Sequence, residues 1–391
     1  MDAYLLSAAR TPIGKFLGGL SELTAPKLGA IAVAEALKRA AIAPDRVAEV
    51  IMGHVIQAGV GQNPARQAAL GAGLPTTINA HTTNMVCGSG LKAVMLATQS
   101  IRCGDSDVIV AGGMESMSRA PFLLPNVRGG YKYGDQTTQD SLIRDGLWCA
   151  FENWPMGNAA EHIATKFGIT RADQDRFSVQ SHHRAAAAWA NGDFDKEVVA
   201  VTVGSGPKAT TVSKDEGIRA DSSVDGLGKL KPAFNLTGTV TAGNASQLSD
   251  GAAAVVVASG RFVETYSAKP LAKIRSMATS GVDPKDIFIA PVSAVRKACQ
   301  RANVSLGEIE LFELNEAFAA QMLACNKELN IDEAKINVHG GAVALGHPIG
   351  ASGARVLVTL VHALHRHGKR LGLASLCLGG GNAVAVVIER V

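Results

Sequence analysis

Asn84-Met85-Val86-Cys87-Gly88-Ser89-Gly90, running into Leu91-Lys92-Ala93-Val94-Met95, is the stretch on which the reading of this chain turns. A cysteine opens a glycine-flanked loop that feeds an apolar helix. A second stretch is built the same way: His347-Pro348-Ile349-Gly350-Ala351-Ser352-Gly353, then Ala354-Arg355-Val356-Leu357. Cys87 and His347 lie 260 positions apart (347 minus 87). The strand-like runs that precede them, Glu49 to His54 and Glu310 to Asn315, keep nearly the same spacing, 261 (310 minus 49). This repeat predicts a duplicated α/β scaffold whose two helix starts face one site. A thiol and a base could work there as a pair.

The chain has 391 residues, room for two or three domains. Its 42 glycines exceed the usual share of about 7%, and aromatics make up only 5%. Small residues therefore dominate, which suits close helix-on-sheet packing and tight loops. An apolar fraction of 47% is enough for a substantial core. The net charge is +4 with no basic block, so nucleic acid is not an expected partner. A modest positive field still helps an anionic ligand arrive. The six cysteines are scattered, with no CxxC pair, so no metal site is expected and reduced thiols in a cytoplasmic setting are. The N-terminal residues show no secretory pattern, and no apolar run of about 20 residues marks a membrane span.

Periodicity predicts helices over Leu28–Ala40, Pro64–Leu70, Arg171–Asn191, Val292–Ala302 and Ala317–Leu329, and from each key loop to about Arg102 and His367. Short strands are predicted over Glu49–Met52, Asp107–Ala111 (ended by Gly112-Gly113), Ala252–Ala258 and Glu310–Leu314. Leu371–Cys377 and Ala383–Glu389, joined by a glycine-rich turn, read as a hairpin. The alternation predicts an α/β fold with layered helices and mixed sheets. An N-terminal domain spans 1–117 and is completed by 250–270, a C-terminal domain spans 271–391, and 118–249 is an inserted loop domain with one helical portion.

A cysteine is more often a small hydrophobe than a nucleophile, and Cys103, Cys149, Cys299 and Cys325 keep that reading. Cys87 differs because free N–H groups and the dipole of a helix start favour a thiolate and should lower its pKa. His362, His365 and His367 read as helix-surface residues. His347 instead lies in Gly340 to Pro348, an irregular segment, where a neutral imidazole could take the thiol proton. Cys377 borders Gly379-Gly380-Gly381, whose backbone could supply donors. Asn315 has two open readings, a helix cap or an amide that orients a water or ligand oxygen.

Together these motifs resemble the thiolase family. The matching stretches are Val86 to Gly90, Gly112 to Ser118, Gly243 to Ser246, Asn315 to Phe318, Gly340 to Gly353 and Cys377 to Gly381, in family order across essentially the whole chain. The resemblance implies two thiolase-like domains and an insertion that covers bound coenzyme A. It implies Cys87 as acyl-accepting nucleophile, His347 as its activator and Cys377 as the acid–base at the substrate α-carbon. Asn315, through a water, joins His347 at the enolate oxygen, and the N–H groups of Cys87 and Gly379 form a second oxyanion hole. Met156, Arg219, Ala242, Ser246, Leu248 and Phe318 are the implied coenzyme A contacts, although on sequence alone Arg219 reads first as a solvated surface charge. Acetyl-CoA, 3-oxoacyl-CoA and coenzyme A are the implied substrates, in fatty acid metabolism. No metal or redox cofactor is implied, and a homotetramer or homodimer is.

Three places in the chain depart from short-chain biosynthetic members. Trp154-Pro155-Met156 has proline where those members carry a histidine before the methionine. Gln247 replaces a frequent glycine after Ser246. Asn382-Ala383 differs at the last turn. Arg128-Gly129-Gly130 nevertheless resembles the tetramerising region of acetoacetyl-CoA thiolases. Two other readings are a decarboxylating ketosynthase-like enzyme, which typically uses two histidines, and a non-catalytic acyl-CoA or lipid carrier, which would lack a member of the set.

Overall fold

The computed structural model describes residues 1–391. In the first half, β1 (Ala3–Arg10), β2 (Glu49–Gly53), β3 (Asn79–Thr83), β4 (Val108–Ser116) and β5 (Ser249–Ser259) alternate with α1 (Ala25–Ala40), α2 (Pro64–Gly71) and α3 (Ser89–Cys103). The insertion contributes α4 (Met156–Phe167) and α5 (Arg171–Ala190). The second half holds β6 (Ala272–Gly281), β7 (Leu311–Leu314), β8 (Leu371–Leu378) and β9 (Asn382–Arg390), with α6 (Ala290–Ala302), α7 (Ala319–Leu329) and α8 (Ile349–Arg366).

The main strands join in one continuous mixed sheet, ordered β3-β2-β4-β5-β1-β6-β9-β8-β7. The order is palindromic about the β1–β6 junction: β1 corresponds to β6, β5 to β9, β4 to β8 and β2 to β7. In both halves the inner pairings are antiparallel, while β2 with β4 and β7 with β8 are parallel. The two halves of the sheet pair with each other only at Tyr4–Lys273 and Leu5–Ala272.

Strand alternation sorts the core into layers, because successive side chains leave opposite faces. Ile109, Ala111, Val255 and Val257 point inward and meet α3 and α8 in one cluster that also takes Ala374, Leu376, Val384 and Val386 from the second half. Val108, Val110, Ala254 and Val256 point the other way, onto α1 and α2. Leu373, Ala385 and Val387 likewise face α6 and α7. The result is five layers, helices–sheet–helices–sheet–helices, with α3 and α8 as the central layer.

Those two helices approach unusually closely. A Cβ on Gly90 would sit 2.7 Å from Ala354 N. A Cβ on Gly353 would overlap Leu91 N and lie 2.9 Å from Leu91 Cβ. The contacts are reciprocal, so Gly90 corresponds to Gly353, an offset of 263 (353 minus 90). The starts of β4 and β8, Val108 and Leu371, share that offset (371 minus 108). Cys87 and His347, 260 apart, are therefore not at equivalent positions. Both lie two residues ahead of their helices, but the histidine is three residues further than the cysteine from the glycine at which the helices meet.

Three local expectations are corrected and one open reading is decided. The strand from 108 does not stop at Gly112-Gly113 but runs to Ser116. A Cβ at Gly113 would collide with the Gly350 carbonyl, so the glycine admits the start of α8 rather than ending the strand. The insertion holds a second long helix, α4, because Pro155 stands at its N-cap instead of breaking it. Asn315 does not cap α7, whose N-cap is Phe318. His362 is not a surface residue: it is half-buried, with Nε2 3.0 Å from the Ala8 carbonyl.

Alanine normally stabilises a helix interior by about 1 kcal/mol over glycine. Gly353→Ala should do the reverse. Forcing a methyl between α3 and α8 should cost about 1–3 kcal/mol by overpacking. A thermal unfolding curve checks the sign, and a rise in midpoint would show that the helices can separate freely.

Candidate active site

Both key loops are held by a serine of the helix that follows. Ser89 Oγ accepts from Met85 N at 2.8 Å and donates to the Val86 carbonyl at 2.6 Å. Asn84 Oδ1 accepts from Val86 N at 2.9 Å. These bonds keep Val86 at φ 46°, a left-handed conformation that a β-branched residue rarely adopts. Such strain costs of order 1–3 kcal/mol and persists only where its surroundings impose it. It presents Cys87, one residue on, to the cavity.

In the other loop, Ser352 Oγ lies 3.0 Å from the Pro348 carbonyl and 2.6 Å from His347 Nδ1. The carbonyl can only accept, so the hydroxyl hydrogen goes to Pro348 and a lone pair faces Nδ1–H. This network assigns the imidazole proton to Nδ1 and leaves Nε2 bare. Asn315 Nδ2 stands 3.5 Å from Nε2, an amide donor facing the bare nitrogen. Asn315 Oδ1 is buried with no protein partner. The His347 N–H is held by the Gln247 carbonyl at 3.0 Å and Ser249 Oγ at 3.2 Å.

Cys87, His347, Cys377 and Gly379 line a single cavity of about 580 Å³, with apolar walls that include Met117, Leu142, Leu147, Pro155, Phe288 and Ile349. Met156, Ala242, Ser246, Leu248 and Phe318 line it too. Asn315 stands behind His347, outside the lining. Arg219 is exposed on the insertion surface and is not brought to the cavity wall. Its backbone N–H binds His182 Nδ1 at 3.1 Å.

Electrostatics overturn one expectation. Cys87 is not acidified: burial pushes its thiol up to about 12. Its own N–H and that of Gly379 pull the other way, and Glu115 adds to the rise, but desolvation outweighs both donors. Burial lowers His347 to about 3, helped by the Arg355 charge. Burial also raises Cys377 well above the usual thiol range, with Cys87 and Cys325 adding to it. The resting pair is therefore a neutral thiol and a neutral imidazole. The amide donors of Cys87 and Gly379 still converge beside the sulfur, where an anion would form.

This arrangement of cysteine, histidine and second cysteine across two similar halves has counterparts. Residues 3–261 match the family model described as "Thiolase, N-terminal domain", and residues 268–390 match "Thiolase, C-terminal domain". The chain belongs to the thiolase family. It is an acyltransferase of that class. Among similar thiolases is the acetyl-CoA acetyltransferase of Escherichia coli (strain K12), 51% identical over 390 residues, covering 100% of this chain and 99% of that one. That of Cupriavidus necator is 50% identical over 390 residues with the same coverage. The crystal structure of the Bacillus anthracis acetyl-CoA acetyltransferase superposes with a TM-score of 0.98 at 42% identity, covering 100% of this chain and 99% of that one.

Reading the motifs missed three residues that hold this thiolase site together. Ser352 fixes the imidazole. Buried Glu115 accepts from Gly350 N at 3.0 Å and Val55 N at 3.1 Å, tying the start of α8 to the first half. Buried Glu316 accepts from Ser181 Oγ at 2.7 Å, Asn337 Nδ2 at 2.8 Å and Val343 N at 3.1 Å, joining the insertion to the His347 loop. All three lie inside motifs that the sequence reading quoted or beside them, but nothing local marks a carboxylate as a backbone brace.

Two outcomes follow from this site. Because burial penalises the Cys87 thiolate, its charged form accumulates only as pH rises toward 12. Alkylation of the ligand-free enzyme by iodoacetamide should then climb about tenfold per pH unit from pH 7 to 10 without a plateau. A plateau near neutrality would reveal a preformed thiolate–imidazolium pair. Ser352→Ala should leave Nδ1–H buried without an acceptor, a cost of about 1–3 kcal/mol, and kcat should fall with it.

Proposed function

We propose that this thiolase is an acetyl-CoA C-acyltransferase that cleaves and forms acetoacetyl-CoA through an acyl-Cys87 intermediate. The observation that carries this reading is the meeting of Cys87, His347, Cys377 and the Gly379 backbone on one apolar cavity. In cleavage, the Cys87 sulfur attacks the 3-keto carbon and its proton passes to His347 Nε2. The oxyanion is held by the N–H groups of Cys87 and Gly379. The bond between the α-carbon and the keto carbon then breaks, and its electron pair stays with the acetyl-CoA enolate. His347 Nε2–H, with a water on Asn315 Oδ1, stabilises the enolate oxygen while Cys377 protonates the α-carbon. Coenzyme A next gives its thiol proton to Cys377 and attacks the acyl-cysteine, and Cys87 recovers its proton from His347.

Neutral resting groups fit this cycle. Transfer from sulfur to imidazole becomes favourable only as charge passes to a substrate oxygen already facing donors, so the ion pair need not exist beforehand. Coenzyme A enters as a substrate, and the steps call on no metal or redox cofactor. Met156, Ala242, Ser246, Leu248 and Phe318 bind its pantetheine arm, and Arg219, on the outer surface, meets the nucleotide end. The apolar walls at Leu142, Leu147 and Ile349, with Pro155 in place of a polar side chain, support longer 3-oxoacyl-CoA substrates as well. Exposed Phe122, Leu124, Val127 and Tyr133 support self-association into a dimer or tetramer. No helix is long and apolar enough to cross a membrane. A cytoplasmic setting and a place in fatty acid metabolism complete the proposal.

Cleavage of acetoacetyl-CoA that depends on free coenzyme A is the direct test, and binding without turnover would point to a carrier instead. Cys87→Ala should abolish both cleavage and condensation. Residual turnover above about a tenth, a cost under ~1.4 kcal/mol, would remove Cys87 from the nucleophile's role. Cys377→Ala should still form acyl-enzyme from labelled acetyl-CoA but lose exchange at the acetyl α-carbon. Undiminished exchange would assign that proton elsewhere.

A further inference from the structure

Gln247, one of the positions where this chain departs from short-chain members, has no part in the chemistry above. Its side chain nevertheless makes contacts that no neighbouring residue makes. The amide nitrogen faces three carbonyls: Gly217 at 2.9 Å, Val343 at 3.1 Å and Ala344 at 3.3 Å. Only a donor can occupy such a position, so the orientation of the amide is set. Gly217 belongs to the insertion, two residues before Arg219. Val343 and Ala344 form the short helical turn Ala342–Leu345 immediately ahead of His347. The Gln247 backbone carbonyl in turn accepts the His347 N–H at 3.0 Å. Gly217 leaves no free space around this contact: a Cβ there would sit 2.7 Å from Gln247 Oε1 and 2.8 Å from the Ala344 carbonyl.

Gln247, at the end of the insertion and on the cavity wall, therefore ties the segment at Gly217, the turn before the histidine and the histidine backbone together. We propose that Gln247 is a positioning residue that couples the coenzyme-covering insertion to the aim of His347. A glycine at this position could make only the backbone bond. The other groups that brace the segment next to Gly217, Arg10 on Asp215 and the backbone of Lys15 and Gly19 on Glu216, bind that segment to the first half; Glu316 and Ser181 tie a different part of the insertion, α5, to the histidine loop. The inference rests on His347 as the base and on the insertion as the cover for coenzyme A.

The test uses the full enzyme with two variants. Gln247→Met keeps length and removes the donor. Gly217→Ala pushes on the same contact from the insertion side and touches no reacting group. In each, kcat for coenzyme A-dependent acetoacetyl-CoA cleavage should fall roughly 10- to 100-fold, as for a base displaced by about 1 Å. KM for coenzyme A should stay within about twofold, because the lost interaction matters at the transition state. The double variant should be little worse than the worse single variant, since both disturb one contact. The pH profile of Cys87 alkylation should change in both. Two folded variants with unchanged kcat, or a rise in KM alone, would overturn the proposal. So would failure of both to fold, which would make the contact a structural brace. Inactivity of the unmodified enzyme toward acetoacetyl-CoA would instead sink the assigned reaction, while the alkylation profiles would still report on Gln247.

Discussion

Everything in this molecule is arranged around the contact between α3 and α8. Two glycines, Gly90 and Gly353, allow the helices to meet backbone to backbone, each lying against the residue that follows the other. The contact is short because neither position has a side chain to hold the partner off. It brings two helix starts, distant in the chain, to one side of the sheet. The sheet halves join through only two residue pairs, so strand pairing alone would hold them weakly in register. Helix packing in the central layer does that work, with the apolar faces of both halves closing around it.

The chemistry uses this contact unevenly. Equivalent positions in the two halves are 263 apart, while Cys87 and His347 are 260 apart. The offset of three residues breaks the symmetry that duplication would impose. Both groups sit two residues ahead of their helices, but the imidazole is three residues further from the glycine contact, on a segment braced by Ser352, Ser249 and Gln247. Burial then keeps both groups neutral at rest, against the pull of the nearby backbone donors. Those donors are placed where charge will develop, and desolvation makes them stronger when it does.

Much of this is legible in the sequence. The alternation of strand and helix, the hairpin that carries Cys377 and the two glycine-flanked loops are local patterns, and they fell where periodicity put them. The errors share a cause. Gly112-Gly113 reads as the end of a strand because glycine usually interrupts elements, and nothing periodic announces a helix after Pro155. Gly113 instead makes room for another segment, and Pro155 begins a helix. Asn315 is locally sound both as a cap and as an amide, and only the start of α7 at Ala319 decides between them.

The sequence by itself determined the duplicated architecture, the order of its motifs and the identity of the groups that meet in the cavity, because each depends on residues close together in the chain. The tertiary structure alone decided their state. Whether a thiol at a helix start is acidified depends on how much water the rest of the fold leaves around it, and here burial wins. Which nitrogen of His347 carries the proton depends on Ser352 and on a carbonyl one helical turn away. What Gln247, Glu115 and Glu316 do depends on backbone from segments tens to hundreds of residues distant, and a hydrogen bond across such a separation leaves no periodic trace in the sequence.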